Sequence, residues 1–115
     1  MKSDVDLESL LSQTDDRRQQ LASFALLCLG VIESLANGAI SARRAIQLFF
    51  HAENCLFVQR HLQDEMAEEV MSHGVQLPDL FDALASEQAQ QEFQRELAAM
   101  HGLCLRLVAD ERVAA

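Results

Sequence analysis

Apolar residues are densest between Leu21 and Ile32, where ten of twelve positions are apolar. A helix of this composition has almost no polar face, so other helices of the same chain, or of a second copy, must cover it. Thr14 is a suitable N-cap for this helix, and Asn37-Gly38 supplies a left-handed residue at its C-terminal end. The sequence therefore predicts a first long helix over residues 15–36.

A second helix is predicted to begin at Ala42, because Ser41 provides an N-cap only a few residues after Gly38. Such a short loop favours an antiparallel pair with the first helix. The second helix carries three of the six phenylalanines of the chain, namely Phe49, Phe50 and Phe57. We expect it to break near Gln63-Asp64, where Asp64 is a suitable N-cap for a further helix.

The C-terminal part of the chain contains two helix signals and one long apolar stripe. Gly74 is expected to end the helix that follows Asp64, and Pro78 is expected to begin a short helix that runs to Leu84. After Ser86, apolar residues recur at helical spacing to about Asp110. A final long helix is the consequence.

These elements predict an all-α fold, a small helical bundle of about four to five helices with the apolar first helix at its centre. A chain of 115 residues is large enough for one hydrophobic core. We expect residues 14–110 to form a single domain. Residues 1–13 are expected to be an arm or a short helix, and residues 111–115 a frayed tail.

The location of the protein is inferred from its ends, its apolar run and its cysteines. The twelve-residue run is shorter than the roughly 20 residues that a bilayer span needs, so no membrane association is expected. The first residues are acidic and do not resemble a secretion signal. Cys28, Cys55 and Cys104 are few, widely spaced and flanked by apolar residues, which favours reduced thiols in the core. A cytoplasmic protein is predicted.

Small residues form a narrow seam on the first helix, at Ser23, Gly30 and Ser34. Small side chains allow a second helix to approach closely. The seam either faces the rest of its own bundle or, with the flanking Leu26 and Leu27, forms the contact of a homodimer. The homodimer is the interpretation that solution measurements of mass can test directly.

Motifs for catalysis or cofactor binding are absent from this sequence, so an enzyme is disfavoured and no cofactor or metal is expected. The four histidines lack the spacing of the di-iron helical bundles. An alternative function is a bundle that binds a small ligand or a metal, with hydrolytic activity around Glu33, Glu53 and a histidine. Glu33 is also expected to form a structural ion pair with Arg43 or Arg44, whose positive charges are disfavoured at a helix N-terminus.

The distribution of charge is the most distinctive functional signal, because the formal net charge is -9 and no Lys or Arg occurs between Arg60 and Arg95. One flank of the bundle is therefore expected to be strongly negative. It is either a solvated surface that aids solubility or a docking face for a basic protein. We predict a non-enzymatic module that binds a basic protein partner. This surface should repel nucleic acid, because phosphates are also negatively charged. The residues predicted to bind the partner are Asp64, Glu65, Glu68, Glu69, Asp79, Phe81 and Asp82.

Overall fold

The computed structural model describes the backbone of residues 4–114 and the side chains of residues 4–109. It is an all-α bundle, as predicted, and this range contains no strand. It has six α-helices, rather than four to five, and one π-helical turn at Val58–Leu62. The α-helices are α1 (Leu7–Leu11), α2 (Arg17–Ala36), α3 (Ala42–Leu48), α4 (Ala52–Phe57), α5 (Glu65–Ala83) and α6 (Ser86–Ala114).

Three long helices form the body of the bundle, in which α6 packs against both α2 and α5. The apolar stripe of α6 is buried in this body, including Leu97, Met100 and Cys104. The buried face of α2 contributes Phe24 and Cys28, both fully inaccessible to solvent. The shorter helices close the ends: α3 packs on α5, while α1 contacts α2 and α4.

Most of the capping residues predicted for α2 and α3 are confirmed by the structure. Asp16, rather than Thr14, is the N-cap of α2, because its carboxylate accepts hydrogen bonds from the backbone of Arg18 and Gln19. Gly38 adopts the predicted left-handed conformation, with φ of 73°. The hydroxyl of Ser41 accepts a hydrogen bond of 3.0 Å from the backbone N–H of Arg44, as expected for the N-cap of α3.

The predicted second helix is not continuous, because the chain turns at Phe49-Phe50-His51 between α3 and α4. Both phenylalanines are buried at this turn, where their rings meet edge to face at 5.1 Å. Asn54 donates its backbone N–H to the His51 imidazole, which caps α4. The pattern of apolar residues does not reveal this turn, because the apolar residues continue through it at Phe49 and Phe50.

The predicted break near Gln63-Asp64 is confirmed. Gln63 is left-handed, with φ of 49°, and the carboxylate of Asp64 accepts a hydrogen bond from the backbone of Ala67. The guanidinium of Arg17 donates to the carbonyl oxygens of Leu62 and Gln63, at 2.8 and 2.9 Å. Arg17 therefore stabilises the end of the π-helical turn from the start of α2.

Gly74 does not end a helix, and Pro78 does not begin one, because α5 continues from Glu65 to Ala83 through both residues. Gly74 is buried beneath the ring of Phe50, which a Cβ atom at this position would overlap. The glycine thus permits close packing between α5 and the Phe49-Phe50-His51 turn. Pro78 lies inside α5, where its missing N–H leaves the carbonyl of Gly74 without the usual helical donor.

The final helix extends beyond the predicted end at Asp110, since α6 continues to Ala114. The predicted frayed tail therefore begins inside this helix, and its last residue, Ala115, lies outside the described residues.

The three cysteines are free thiols, as predicted, and Cys28 and Cys104 are fully buried in the core. Cys28 has a strongly raised pKa because its thiol hydrogen bonds to that of Cys104 and both are buried. Burial also raises the pKa of the Cys55 thiol. The thiolate form is therefore disfavoured at Cys28 and Cys55.

Helix α2 is, within the described residues, the one helix long and apolar enough by length and composition to cross a membrane. The prediction from the sequence counted only the twelve-residue run, whereas the helix has 20 residues and an 18-residue window of mean hydropathy 1.4. The core helix of a bundle has the same properties, and α2 packs against α6. Only 39% of that window is buried, and Leu26 is the large apolar side chain of α2 that is exposed.

Candidate functional site

The acidic residues predicted to bind a partner divide into two groups in the structure. Four of them lie exposed on α5 as two pairs, and the acids of each pair are three residues apart. Eleven residues, about three helical turns, separate the second acid of the first pair from the first acid of the second pair, so the two pairs share one side of the helix. We call this group the acidic face, and it consists of Glu65, Glu68, Asp79 and Asp82. The other two acids, Asp64 and Glu69, have partners within the chain.

Asp64 is half-buried and caps α5, as described above. Glu69 lies 3.7 Å from Nε2 of His73, and Nδ1 of the same imidazole lies 2.5 Å from Glu96 on α6. His73 thus joins two carboxylates across the contact of α5 with α6. Asp64 and Glu69 contribute to the fold, so we do not include them in the acidic face.

One end of the acidic face opens into a groove of about 540 Å³, within the range of about 300–1,000 Å³ common for ligand pockets. It is formed by the end of α2, the following loop, the start of α3, the C-terminal part of α5 and the N-terminal part of α6. Its apolar lining includes Leu35, Ile40, Pro78, Phe81 and Phe93. The groove therefore combines apolar walls with an acidic approach.

Phe81 is the most exposed aromatic side chain of the groove, at 41% of its full accessibility. Its ring packs against that of Phe93 on α6, with centroids 5.3 Å apart and planes at 57°. Aromatic rings that are part-exposed and held by a neighbour are common anchors at protein interfaces. Leu77, by contrast, is 1% exposed and belongs to the core.

Polar side chains at the edge of the groove come from three helices. Arg43 on α3 and Asp82 on α5 both line it, together with the amides of Gln90 and Gln94 on α6. Arg43 and Asp82 also border a second depression, of about 340 Å³, that adjoins the first. Among the described residues, neither Arg43 nor Asp82 forms an ion pair.

The predicted ion pair between Glu33 and Arg43 is not among the ion pairs of the described residues. The carboxylate of Glu33 instead accepts a hydrogen bond of 2.9 Å from the side-chain amide of Asn37, one turn later at the end of α2. An amide at this helical spacing lies closer than a side chain across the loop. The backbone N–H of Arg44 donates to the hydroxyl of the cap residue Ser41, and Arg44 takes part in a further interaction within the fold.

The seam of small residues is open to solvent at Ser23 and Gly30, while Leu27 beside it packs partly against the core. Leu26 is 60% exposed, and a Cβ atom added at Gly30 would meet no atom within 4 Å. Ser23 is exposed, whereas Leu27 and Ser34 are half-buried. The hydroxyl of Ser34 donates to the carbonyl of Gly30.

The residues of the alternative function do not come together at one place. Glu53 and His61 line a depression of about 280 Å³ beside α1 and α4, together with Asp6, whereas Glu33 lies at the end of α2. Over the part of the chain that the structure describes, no three His, Cys, Asp or Glu side chains are grouped in a way that could hold a metal ion.

Sequence reasoning missed one buried polar centre, which we call the N-terminal corner and define as Val5, Leu7, His51 and Asn54. The side chain of Asn54 is 1% exposed and donates to the carbonyls of Phe49 and Val5, while it accepts from the N–H of Leu7. His51 Nε2 lies 3.0 Å from the carbonyl of Val5. Contacts across 46 to 49 residues carry no local sequence signal.

Compared with protein-family models, curated proteins and solved structures, the chain shows no significant match. The candidate site is therefore defined by its own geometry, a groove with aromatic walls that adjoins the acidic face.

Proposed function

We propose that this protein is a non-enzymatic, cytoplasmic binding module whose acidic face and groove bind a basic protein partner. The observation that carries the proposal is the acidic face itself, four exposed carboxylates on α5 in a stretch without Lys or Arg. Because the described residues offer these carboxylates no ion pair, their charge is available to another molecule.

Charge of one sign along a helix accelerates the encounter with a partner of opposite charge and disfavours partners of like charge. A basic protein is favoured on this ground, while nucleic acid phosphates are repelled. The apolar groove at the end of the acidic face supplies what charge alone does not, a surface whose burial stabilises the complex.

The test is to recover the partner from the native host with the full chain as bait and to measure affinity with the purified pair. A triple variant, Glu68→Gln with Asp79→Asn and Asp82→Asn, removes three charges from the acidic face. We expect the affinity of this variant to fall by about tenfold or more, and the wild-type affinity to fall with added salt.

A matched control removes three exposed charges elsewhere, with Glu8→Gln, Asp15→Asn and Glu33→Gln. Both triple variants change the net charge equally, so only a local role of the acidic face separates them. Equal affinities for the two variants, or failure of the chain to retain any basic partner, would contradict the proposal.

Self-association through the outer face of α2 is a second proposal, which the 60% exposure of Leu26 beside the open surface at Gly30 supports. Between Ser23 and Gly30 this face carries no charged residue, so two copies of an acidic protein repel each other less here than along the acidic face. Sedimentation at micromolar concentration should report a dimer that Leu26→Glu dissociates. Leu56→Glu, at a 43% exposed position on α4, is the control that should remain dimeric. A monomeric wild-type protein excludes this contact.

A further inference from the structure

Two opposite charges lie on the boundary between the groove and its neighbouring depression. Arg43 on α3 and Asp82 on α5 line both, and the packing of α3 against α5 holds the two backbones in place. Neither side chain forms an ion pair within the described part of the chain. The edge of the groove thus presents a positive and a negative group, whereas the rest of the acidic face presents only negative groups.

A purely basic occupant does not satisfy this edge. As a partner segment covers the groove it removes water, and a lysine or arginine held close to Arg43 is then destabilising. An occupant with one acidic and one basic group instead finds a partner for both Arg43 and Asp82. Complementary charges of this kind fix the direction and register in which a segment binds.

The groove that these charges line is otherwise largely apolar and aromatic. Phe81 keeps 41% of its surface exposed, although its ring already packs on Phe93. Pro78 and Leu35 continue the apolar lining on α5 and α2. An apolar side chain that enters here excludes water from Phe81 and strengthens the ion pairs beside it.

We infer that the groove binds a short partner segment that carries an acidic, an apolar and a basic residue in turn. The apolar side chain packs on Phe81 and Phe93, the basic group pairs with Asp82 and Asp79, and the acidic group pairs with Arg43. This inference rests on the proposed function and adds a specificity element to it. The net basic charge of the partner accelerates its encounter with the acidic face. The order of acidic, apolar and basic residues in the segment determines how stable the complex is.

The experiment selects binders to the full chain from a random twelve-residue peptide display library, with the variant Phe81→Ala used for counter-selection. We expect the enriched peptides to share an apolar residue with an acid on one side and Lys or Arg on the other. A synthetic peptide of the enriched sequence should lose affinity by about tenfold or more on Phe81→Ala. Nuclear magnetic resonance shifts caused by the peptide should map to the groove.

Charge exchange tests the inference with variants at exposed positions, where folding is least affected. Arg43→Glu should weaken the selected peptide by about tenfold, and exchange of the peptide's acid for lysine should restore the affinity. Asp82→Lys should also weaken binding of the selected peptide, and an acid in place of the peptide's basic residue should restore the affinity. Glu8→Lys, at an exposed position of α1 in the separate depression beside α4, is the control that should change neither affinity.

Four results would overturn the inference: no enrichment of peptides, enrichment of purely basic peptides, enrichment of sequences that match a segment of this chain, or peptide binding insensitive to Arg43→Glu and Phe81→Ala. The third result would indicate self-association instead. The proposed function has a separate test, since a partner that depends on the acidic face but ignores Arg43 and Phe81 leaves it standing while the groove inference fails.

Discussion

The N-terminal corner and the groove use polar groups in opposite ways. In the corner, the Asn54 side chain makes three hydrogen bonds to backbone groups and is 1% exposed. At the groove, Arg43 and Asp82 lie at the edge and form no ion pair within the described residues. The first region satisfies its polar groups internally, while the second offers them to solvent or to a partner.

The difference indicates where function lies in a bundle without a catalytic motif. A buried polar group that is fully satisfied fixes one arrangement of the chain, and its loss leaves other buried groups without partners. An exposed charge without a partner stabilises the folded chain little. Substitutions in the corner should therefore reduce stability, and substitutions at the groove should reduce binding alone.

The largest effect on stability is expected from Asn54→Ala. This change leaves the N–H of Leu7 and the carbonyl of Phe49 buried without a hydrogen-bond partner, so the free energy of unfolding should fall by about 3 kcal/mol. Chemical denaturation followed by circular dichroism measures it. Asn37→Ala is the matched control, because the side-chain amide of this exposed asparagine bonds to the exposed Glu33 carboxylate and its loss should change stability by about 0.5 kcal/mol or less. Equal losses for the two would show that the corner is not a special centre.

A second loss of stability is expected outside the corner, where Gly74 of α5 packs against Phe50. Gly74→Ala places a methyl group in the volume of the Phe50 ring and should destabilise the fold by about 1–3 kcal/mol. The same change at Gly30, where the surface is open, should stabilise by up to about 1 kcal/mol because alanine favours the helix. Thermal or chemical unfolding of both variants gives the signs. A stabilising Gly74→Ala would mean that the ring of Phe50 moves aside freely.

Local signals predicted much of the fold. Ser41, Gly38 and Asp64 act through residues within one turn of the chain, and all three have the roles that their chemistry indicates. The role of Gly74 was predicted wrongly because a glycine that ends a helix and a glycine that allows an aromatic ring to pack closely have the same local sequence signal. Only the approach of Phe50, 24 positions earlier in the sequence, distinguishes them.

The candidate site was predictable in its charge and not in its shape. Exposed acids in a stretch without basic residues remain visible in any helical arrangement, and Phe81 was identified beside them. The groove required the loop after α2 to meet α5 and α6, which brings Ile40 and Phe93 together from distant parts of the sequence. Arg43 was assigned to Glu33 by proximity along the chain, whereas the packing of α3 on α5 places it beside the groove.

A smaller effect is expected at Asp6, between Val5 and Leu7 of the corner, where the stability of the fold should depend on pH. Asp6 caps α1, and its pKa is lowered from 3.8 by hydrogen bonds from the hydroxyl and the backbone N–H of Ser9. A carboxylate with a lower pKa in the folded state stabilises the fold fully above its unfolded pKa and loses this contribution as pH falls through the lower folded value. Asp6→Asn keeps the cap and removes the titration. Denaturation at several pH values should show the wild-type advantage disappear below pH 3.8. A difference independent of pH would exclude this role of the Asp6 charge.

The smallest effect on stability is expected at the groove, where Arg43→Gln and Asp82→Asn should each change the free energy of unfolding by less than about 0.5 kcal/mol. These side chains are exposed and have no ion pair within the described residues to lose. Denaturation of each variant, beside Asn54→Ala, measures the contrast between the two regions. If either variant destabilised the chain by more than about 1 kcal/mol, its charge would be part of the fold in the manner of Asn54, and a loss of binding could no longer be attributed to direct contact with a partner.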